Sequence, residues 1–238
     1  MTDGTTTWNY IYDANGMRTS RTNGTTAYNY VYNGGSLSQM TVGSNTLNFA
    51  YDASGVPMMV TYNGTNYYYI VNLQGDVKGI VDNTGTLVVY YAYDAWGKLL
   101  SITGSMANTL GTLNPLRYRS YVYDTETGYY YLQSRYYDPE IGRFINADSV
   151  IAGNGENILG YNMFAYCNNN PVLLIDPTGT FGISSILAAL ASVNPIGLAA
   201  AAVVVVVVAT TGIVIYNWDN AWGYNPAPDG RLAGNRPQ

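Results

Sequence analysis

No histidine occurs anywhere in the 238 residues. That removes Ser-His-Asp and Cys-His catalysis, and histidine metal sites with them. A single cysteine, Cys167, rules out an internal disulfide and a cysteine-based zinc site. Charge is scarce as well: Asp, Glu, Lys and Arg make up 11% of the chain, against roughly 25% in an ordinary globular domain. The balance is acidic, 15 acids to 10 bases, so the basic footprint of a nucleic-acid binder is missing and no nucleic-acid partner is expected. Met1-Thr2-Asp3-Gly4 has no positive region and no apolar run after it, so it does not read as a secretory signal. Strand-like text begins at once. This fits the end of a longer polypeptide, or a complete protein exported by another route or not exported. Isolated carboxylates at turns could hold Ca²⁺, but no dense acidic loop of the EF-hand kind is present, and no cofactor is implied.

What the chain has in excess is tyrosine, 25 residues, beside 26 glycines. The excess is uneven: residues 1–179 hold 23 of the tyrosines and 13 of the 15 acids, while residues 181–216 hold no charge. The unit Tyr-Asp-x-x-Gly recurs at Tyr12-Asp13-Ala14-Asn15-Gly16, Tyr51-Asp52-Ala53-Ser54-Gly55 and Tyr93-Asp94-Ala95-Trp96-Gly97. Decayed copies stand at Tyr32-Asn33-Gly34-Gly35 and Val81-Asp82-Asn83-Thr84-Gly85, with looser ones from Tyr123-Asp124 and Tyr137-Asp138. Tyrosine suits a strand end, Asp or Asn opens a turn by bonding its own backbone two residues on, and Gly supplies the positive φ that closes it. Between turns the text alternates with period two, as in Tyr28-Asn29-Tyr30-Val31-Tyr32. A step of about 20 residues suits two strands and two turns, an array of antiparallel hairpins stabilised by stacking unit on unit. The tyrosines read first as a packed sheet face, and second as a stacking platform for sugars. Arg117, Arg119 and Arg135 sit among tyrosines, where packing or ion pairs with Asp124, Asp138 or Glu140 are expected. Cys167 reads as a small buried hydrophobe, and Val172–Ile175 as a closing strand.

These units resemble the tyrosine-aspartate (YD) repeats of the rearrangement-hotspot (Rhs) family and its wall-associated relatives. The stretch from Asn72-Leu73-Gln74-Gly75-Asp76-Val77 to Trp96-Gly97-Lys98-Leu99-Leu100 is similar to the entry of the Rhs repeat-associated core. Gly128-Tyr129-Tyr130-Tyr131-Leu132-Gln133-Ser134-Arg135-Tyr136-Tyr137-Asp138-Pro139-Glu140-Ile141-Gly142-Arg143-Phe144-Ile145-Asn146-Ala147-Asp148 is similar to its central signature. Phe164-Ala165-Tyr166-Cys167-Asn168-Asn169-Asn170-Pro171-Val172 and Ile175-Asp176-Pro177-Thr178-Gly179 are similar to its closing one. The resemblance covers residues 5–179. It implies a mainly β fold: stacked antiparallel hairpins of a partial β shell, a core that plugs one end, and a variable, often toxic C-terminal segment. The divisions expected are 1–100 for the YD hairpins, 101–179 for the core and 180–238 for the variable segment.

The resemblance also implies that some cores cut their own chain with two carboxylates. Carried onto this sequence, these are Asp148 and Asp176, with Arg143 as charge partner and the cut just after Gly179, near Thr180-Phe181. Two close aspartates would share one proton, one acting as base on water and the other as acid. Against this stands the reading of both as turn formers. The chain departs from the family pattern: Asp148-Ser149-Val150-Ile151 lacks the first Asp-Pro-x-Gly, Thr180 precedes the apolar residue, and 28 positions separate the two aspartates.

Ile196–Tyr216 is 21 residues without a charge, enough for a helix to cross about 30 Å of hydrocarbon. It contains the six valines Val203–Val208, and Trp218, Trp222 and Tyr224 follow it. Three readings stand: a membrane-crossing or pore-forming helix contacting lipid, a helical hairpin sequestered in the shell, or the leader of a larger toxin. The function expected is the C-terminal part of an Rhs-type polymorphic toxin or cell-surface protein. It would be secreted or at the cell surface, possess its own tail as cargo and face an immunity protein as a partner. The alternatives are a self-cleaving aspartic peptidase and a carbohydrate-binding surface module.

Overall fold

The computed structural model describes residues 6–148 and 162–180, together with the backbone of 183–184. All three readings of the apolar tail fall outside the described residues. Among the described residues no helix is long and apolar enough to cross a membrane.

Ten strands form one antiparallel sheet in simple sequence order. They are β1 (Asn9–Tyr12), β2 (Arg18–Thr22), β3 (Ala27–Asn33), β4 (Ser36–Val42), β5 (Asn45–Tyr51), β6 (Pro57–Tyr62), β7 (Thr65–Val71), β8 (Val77–Val81), β9 (Leu87–Tyr93) and β10 (Leu99–Thr103). Alternation sets which side is covered. In β7, Tyr67, Tyr69 and Val71 face inward, while Tyr68 and Ile70 are exposed. Met40, Leu47, Val60, Ile80 and Val89 line the covered face with no more than 1% of their surface exposed. Burying each such side chain contributes about 1.5–3 kcal/mol.

The Tyr-Asp-x-x-Gly unit is a turn held by one carboxylate oxygen. Asp13 Oδ1 accepts the backbone N–H of Asn15 and of Met17, both at 2.9 Å. Asp52, Asp82 and Asp94 repeat this with the residues two and four positions on. Asn72 does the same through Gln74 and Asp76. The exposed Asp82 carboxyl is thereby held below its usual pKa, chiefly by the Thr84 hydroxyl. Tyr32-Asn33-Gly34-Gly35 is not such a turn. Asn33 pairs directly with Ser36, and Gly34 and Gly35 (φ 57° and 84°) make a two-residue hairpin connection.

The core adds a four-stranded antiparallel sheet: β11 (Val122–Asp124), β12 (Tyr129–Tyr131), β13 (Tyr136–Asp138) and β14 (Arg143–Phe144). A two-strand pair follows, β15 (Leu174–Ile175) and β16 (Ile183–Ser184). The closing strand is therefore shorter than Val172–Ile175: Val172 and Leu173 are each 51% exposed. Tyrosines of the core dock on the turns of the large sheet by donating to their carbonyls. Tyr118 reaches Ala95 O at 3.1 Å, Tyr130 reaches Gly97 O at 2.7 Å and Tyr137 reaches Trp96 O at 2.7 Å. Each bond satisfies a buried phenol and fixes the core on that rim. The rings also pack on one another, Tyr137 on Tyr166 at 4.0 Å between centroids.

Gly97 matters for a second reason. An ideal Cβ there would lie 2.4 Å from Cδ1 of buried Tyr118, at φ +89°. At Gly16, φ +79°, a Cβ would meet nothing within 4 Å. Gly97→Ala is expected to cost about 3 kcal/mol and Gly16→Ala about 1 kcal/mol, read as urea midpoints. Equal losses would mean that Tyr118 is not packed on this turn.

Candidate functional site

The turn from β12 to β13 carries Leu132 to Arg135, with Gln133 in the left-handed region (φ 62°) and the Leu132 N–H donating to Arg135 O at 2.9 Å. This places Ser134 and Arg135 together at the edge of the core sheet. Asp148 lies beyond β14, its N–H donating to Met163 O at 3.0 Å. Asp176 follows β15, and its N–H donates to Tyr121 Oη at 2.9 Å.

The three elements converge on one guanidinium. Arg135 Nη2 lies 3.1 Å from Asp148 Oδ2 and 3.4 Å from Asp176 Oδ2. Its Nη1 donates to Met163 O at 3.1 Å, and its plane sits 3.7 Å from the centre of the Phe144 ring. Arg135 Nε donates to Gly179 O, and the single Ser134 hydroxyl proton is shared between Thr178 O at 2.7 Å and Gly179 O at 2.8 Å. The next N–H, that of Thr180, donates to Asp176 Oδ1 at 3.0 Å. Both polar atoms of the Gly179–Thr180 peptide are therefore held by these side chains. Asp176 is 1% exposed and Gly179 is buried, whereas Thr180 is exposed. It borders a cleft of about 590 Å³ lined also by Tyr12, Ser134, Tyr136, Asn146 and Thr178.

Gly179 is a position only glycine suits. Its φ is +72°, and an added Cβ would stand 2.7 Å from Leu132 O and 2.9 Å from Ser134 Oγ. Burial lowers the Arg135 pKa, while Asp148 and Asp176 act in the opposite sense. Burial likewise pushes the Cys167 thiol up to about 12, so it behaves as the small buried hydrophobe its sequence suggested.

The structure brings Asp148 and Asp176 to one place but not Arg143. Arg143 is exposed, pairs through its backbone with Asp138 and Ala165, and makes no ion pair among the described residues. The Gly142-Arg143-Phe144 signature points the Phe144 ring inward and the arginine out, as alternation on a strand requires. Arg135 takes the place expected of it. The carboxylates expected for the arginines, Asp124, Asp138 and Glu140, are not theirs. Asp124 pairs with Arg18, Glu140 with Lys98, and Arg119 lies 3.7 Å from Asp76. Arg117 donates to backbone carbonyls and stacks on Tyr123 at 4.3 Å. A cation, Arg135, bridges the two aspartates.

The family described as teneurin YD-shell matches residues 1–172. The tRNA nuclease WapA of Bacillus subtilis is 44% identical over 108 residues, 45% of this chain and 4% of that protein. Double-stranded DNA deaminase toxin A of Burkholderia cenocepacia is 32% identical over 142 residues, 60% of this chain and 9% of that one. In solved structures, TcdB2-TccC3 without its hypervariable C-terminal region superposes with a TM-score of 0.57 at 23% identity, covering 72% of this chain and 9% of that chain. A Photorhabdus luminescens Tc holotoxin pore gives 0.55 at 20% identity, covering 77% and 9%. At such identities the structures speak for the fold, and the chain spans less than a tenth of each of these four proteins. The stacked Tyr-Asp turns, the rim-docked core and the match over residues 1–172 together place the chain in the teneurin YD-shell family of Rhs-type proteins.

Proposed function

We propose that this chain is the closing part of an Rhs-type polymorphic toxin, a β wall (1–100) and core (101–179) that carry residues 180–238 as cargo and cut the chain after Gly179. The similarity to a deaminase toxin supports the class. The observation that carries the cut is the Gly179–Thr180 peptide, whose oxygen accepts Arg135 and Ser134 and whose nitrogen donates to Asp176. Charge that develops on Gly179 O meets a guanidinium already aimed at it and a hydroxyl 2.8 Å away that can turn to it from Thr178 O. Asp176, which accepts the Thr180 N–H, takes the proton of the new hydroxyl on the attacked carbon and passes it to the departing amine. Asp148, across the same guanidinium, accepts a proton from the hydrolytic water. Secretion, an immunity partner and lipid contact through Ile196–Tyr216 follow from the same reading of the tail as cargo.

Intact mass of the purified chain tests this. Wild type is expected to resolve into fragments meeting at Gly179 and Thr180, and Asp148→Asn to keep its full length, a loss of at least about 100-fold in rate. A wild-type chain that stays whole, or an Asp148→Asn chain cut at the wild-type rate, would overturn the self-cleaving core.

A further inference from the structure

The residue after Gly179 is a threonine, and a threonine there can do more than wait for water. Its Oγ1 reaches the preceding carbonyl carbon through a five-membered ring, a short path that needs no second molecule. The surroundings suit that path. Gly179 O is already held by a guanidinium and a hydroxyl. Gly179 has no side chain to shield the carbon, and at its φ of +72° an added Cβ would clash with Leu132 O and Ser134 Oγ. Thr180 Oγ1 lies 2.8 Å from Thr178 Oγ1, exposed at the edge of the cleft. Asp176 Oδ1 sits on the Thr180 nitrogen, at the point where the leaving group must be protonated. Finally, Arg135 Nη2 bridges the two carboxylates, so both lie beside the bond to be broken.

We infer that Thr180 is the nucleophile of the first step, and that the chain passes through an ester between Gly179 and the Thr180 hydroxyl. In that step the Thr180 Oγ1–Gly179 C bond forms. The hydroxyl proton passes to the Asp176 carboxylate and from it to the Thr180 nitrogen, and the C–N bond breaks. The result is an isomer of the starting chain with a free Thr180 amine. In the second step water adds to the ester carbon and gives a proton to Asp148. The C–Oγ1 bond breaks, Asp148 passes its proton to Thr180 Oγ1, and Gly179 leaves as a carboxylate, its acid proton going to the free Thr180 amine. The inference rests on the proposed cut and adds the identity of its nucleophile.

Three full-length variants and one reagent test it. Thr180→Val, which keeps the shape and loses the oxygen, is expected to slow cutting at least about 100-fold, and Thr180→Ser to restore it. Asp148→Asn, stalled before the second step, should stay whole by mass yet be split by neutral hydroxylamine, leaving a hydroxamate on Gly179. Locating the hydroxamate by mass separates this from hydroxylamine attack at Asn-Gly pairs such as Asn15-Gly16. If Thr180→Val is cut as fast as wild type, or Asp148→Asn resists hydroxylamine, Thr180 is not the nucleophile. Wild type cut while Asp148→Asn stays whole would leave the self-cleaving core standing in either case. A wild type that is never cut would sink both.

Discussion

Asp124→Ala is expected to destabilise the protein by about 3–5 kcal/mol, the cost of leaving a buried cation without its partner. Arg18 on β2 and Asp124 on β11 are each 0% exposed. The pair is bidentate, with Arg18 Nη1 on Oδ2 and Nη2 on Oδ1 at 2.9 Å. The guanidinium also lies 4.5 Å from the Tyr131 ring centre and 4.8 Å from that of Tyr30. Burial works against the Arg18 charge, but Asp124 and its neighbours outweigh it and hold its pKa above the ordinary value. Arg21 adds a second strand-to-core link, to Glu126 and to Asp124 at 3.4 Å. These contacts tie the second strand of the wall to the first hairpin of the core across 106 residues of sequence. Removing one partner exposes the asymmetry of buried ion pairs, whereas replacing both with apolar residues is often neutral. Arg18→Met with Asp124→Leu should therefore recover most of the loss in urea midpoint. Single variants that lose less than about 1 kcal/mol would show a solvated pair.

That pair also marks where the sequence stops being legible. The turns could be read locally because each is built by an aspartate acting on residues two and four positions away, with a glycine closing it. Asp13 with Gly16, Asp52 with Gly55 and Asp94 with Gly97 needed nothing from elsewhere in the chain. Strand alternation likewise announced the covered face of β3 in Tyr28-Asn29-Tyr30-Val31-Tyr32. Pairings across long separations carry no such local mark. Arg18 has the same neighbours in sequence as any turn-following residue. Arg135, set among tyrosines, finds a partner 41 positions away in Asp176 rather than the adjacent Asp138 or Glu140. The motif resemblance singled out Asp148 and Asp176, but it offered Arg143 as their cation, although Arg135 lies in the same signature. Strand alternation turns Arg143 outward. The choice between Arg135 and Arg143 could have been made from that parity alone, since Arg143 neighbours the inward Phe144.

The tyrosine excess that first set this sequence apart predicts a steep loss of stability in alkali. Tyr69, Tyr93, Tyr121, Tyr130 and Tyr166 all have phenol pKa values raised above the usual 10, in each case chiefly by burial. Tyr91 is raised by burial too, with Arg117 and Asn114 opposing. A group whose folded pKa exceeds its unfolded one contributes fully below the unfolded pKa. It loses that contribution as pH rises toward the folded value, because the unfolded chain gives up its proton first. The window therefore opens at about pH 10, where free tyrosine titrates. Each buried phenol then removes about 1.4 kcal/mol per pH unit. Six acting together would remove roughly 8 kcal/mol per unit, comparable to the whole stability of a domain. Unfolding is expected within about one pH unit above 10, with tyrosinate absorbance at 295 nm rising in step with the loss of far-ultraviolet circular dichroism. The diagnostic is the part of the absorbance that rises together with the loss of the β spectrum, since Tyr12, Tyr68 and Tyr90 are exposed and need no unfolding to meet hydroxide. Tyrosinate absorbance that reaches its full value while the β spectrum persists would mean that the six rings lie in water, and that the core does not sit on the rim of Tyr-Asp turns.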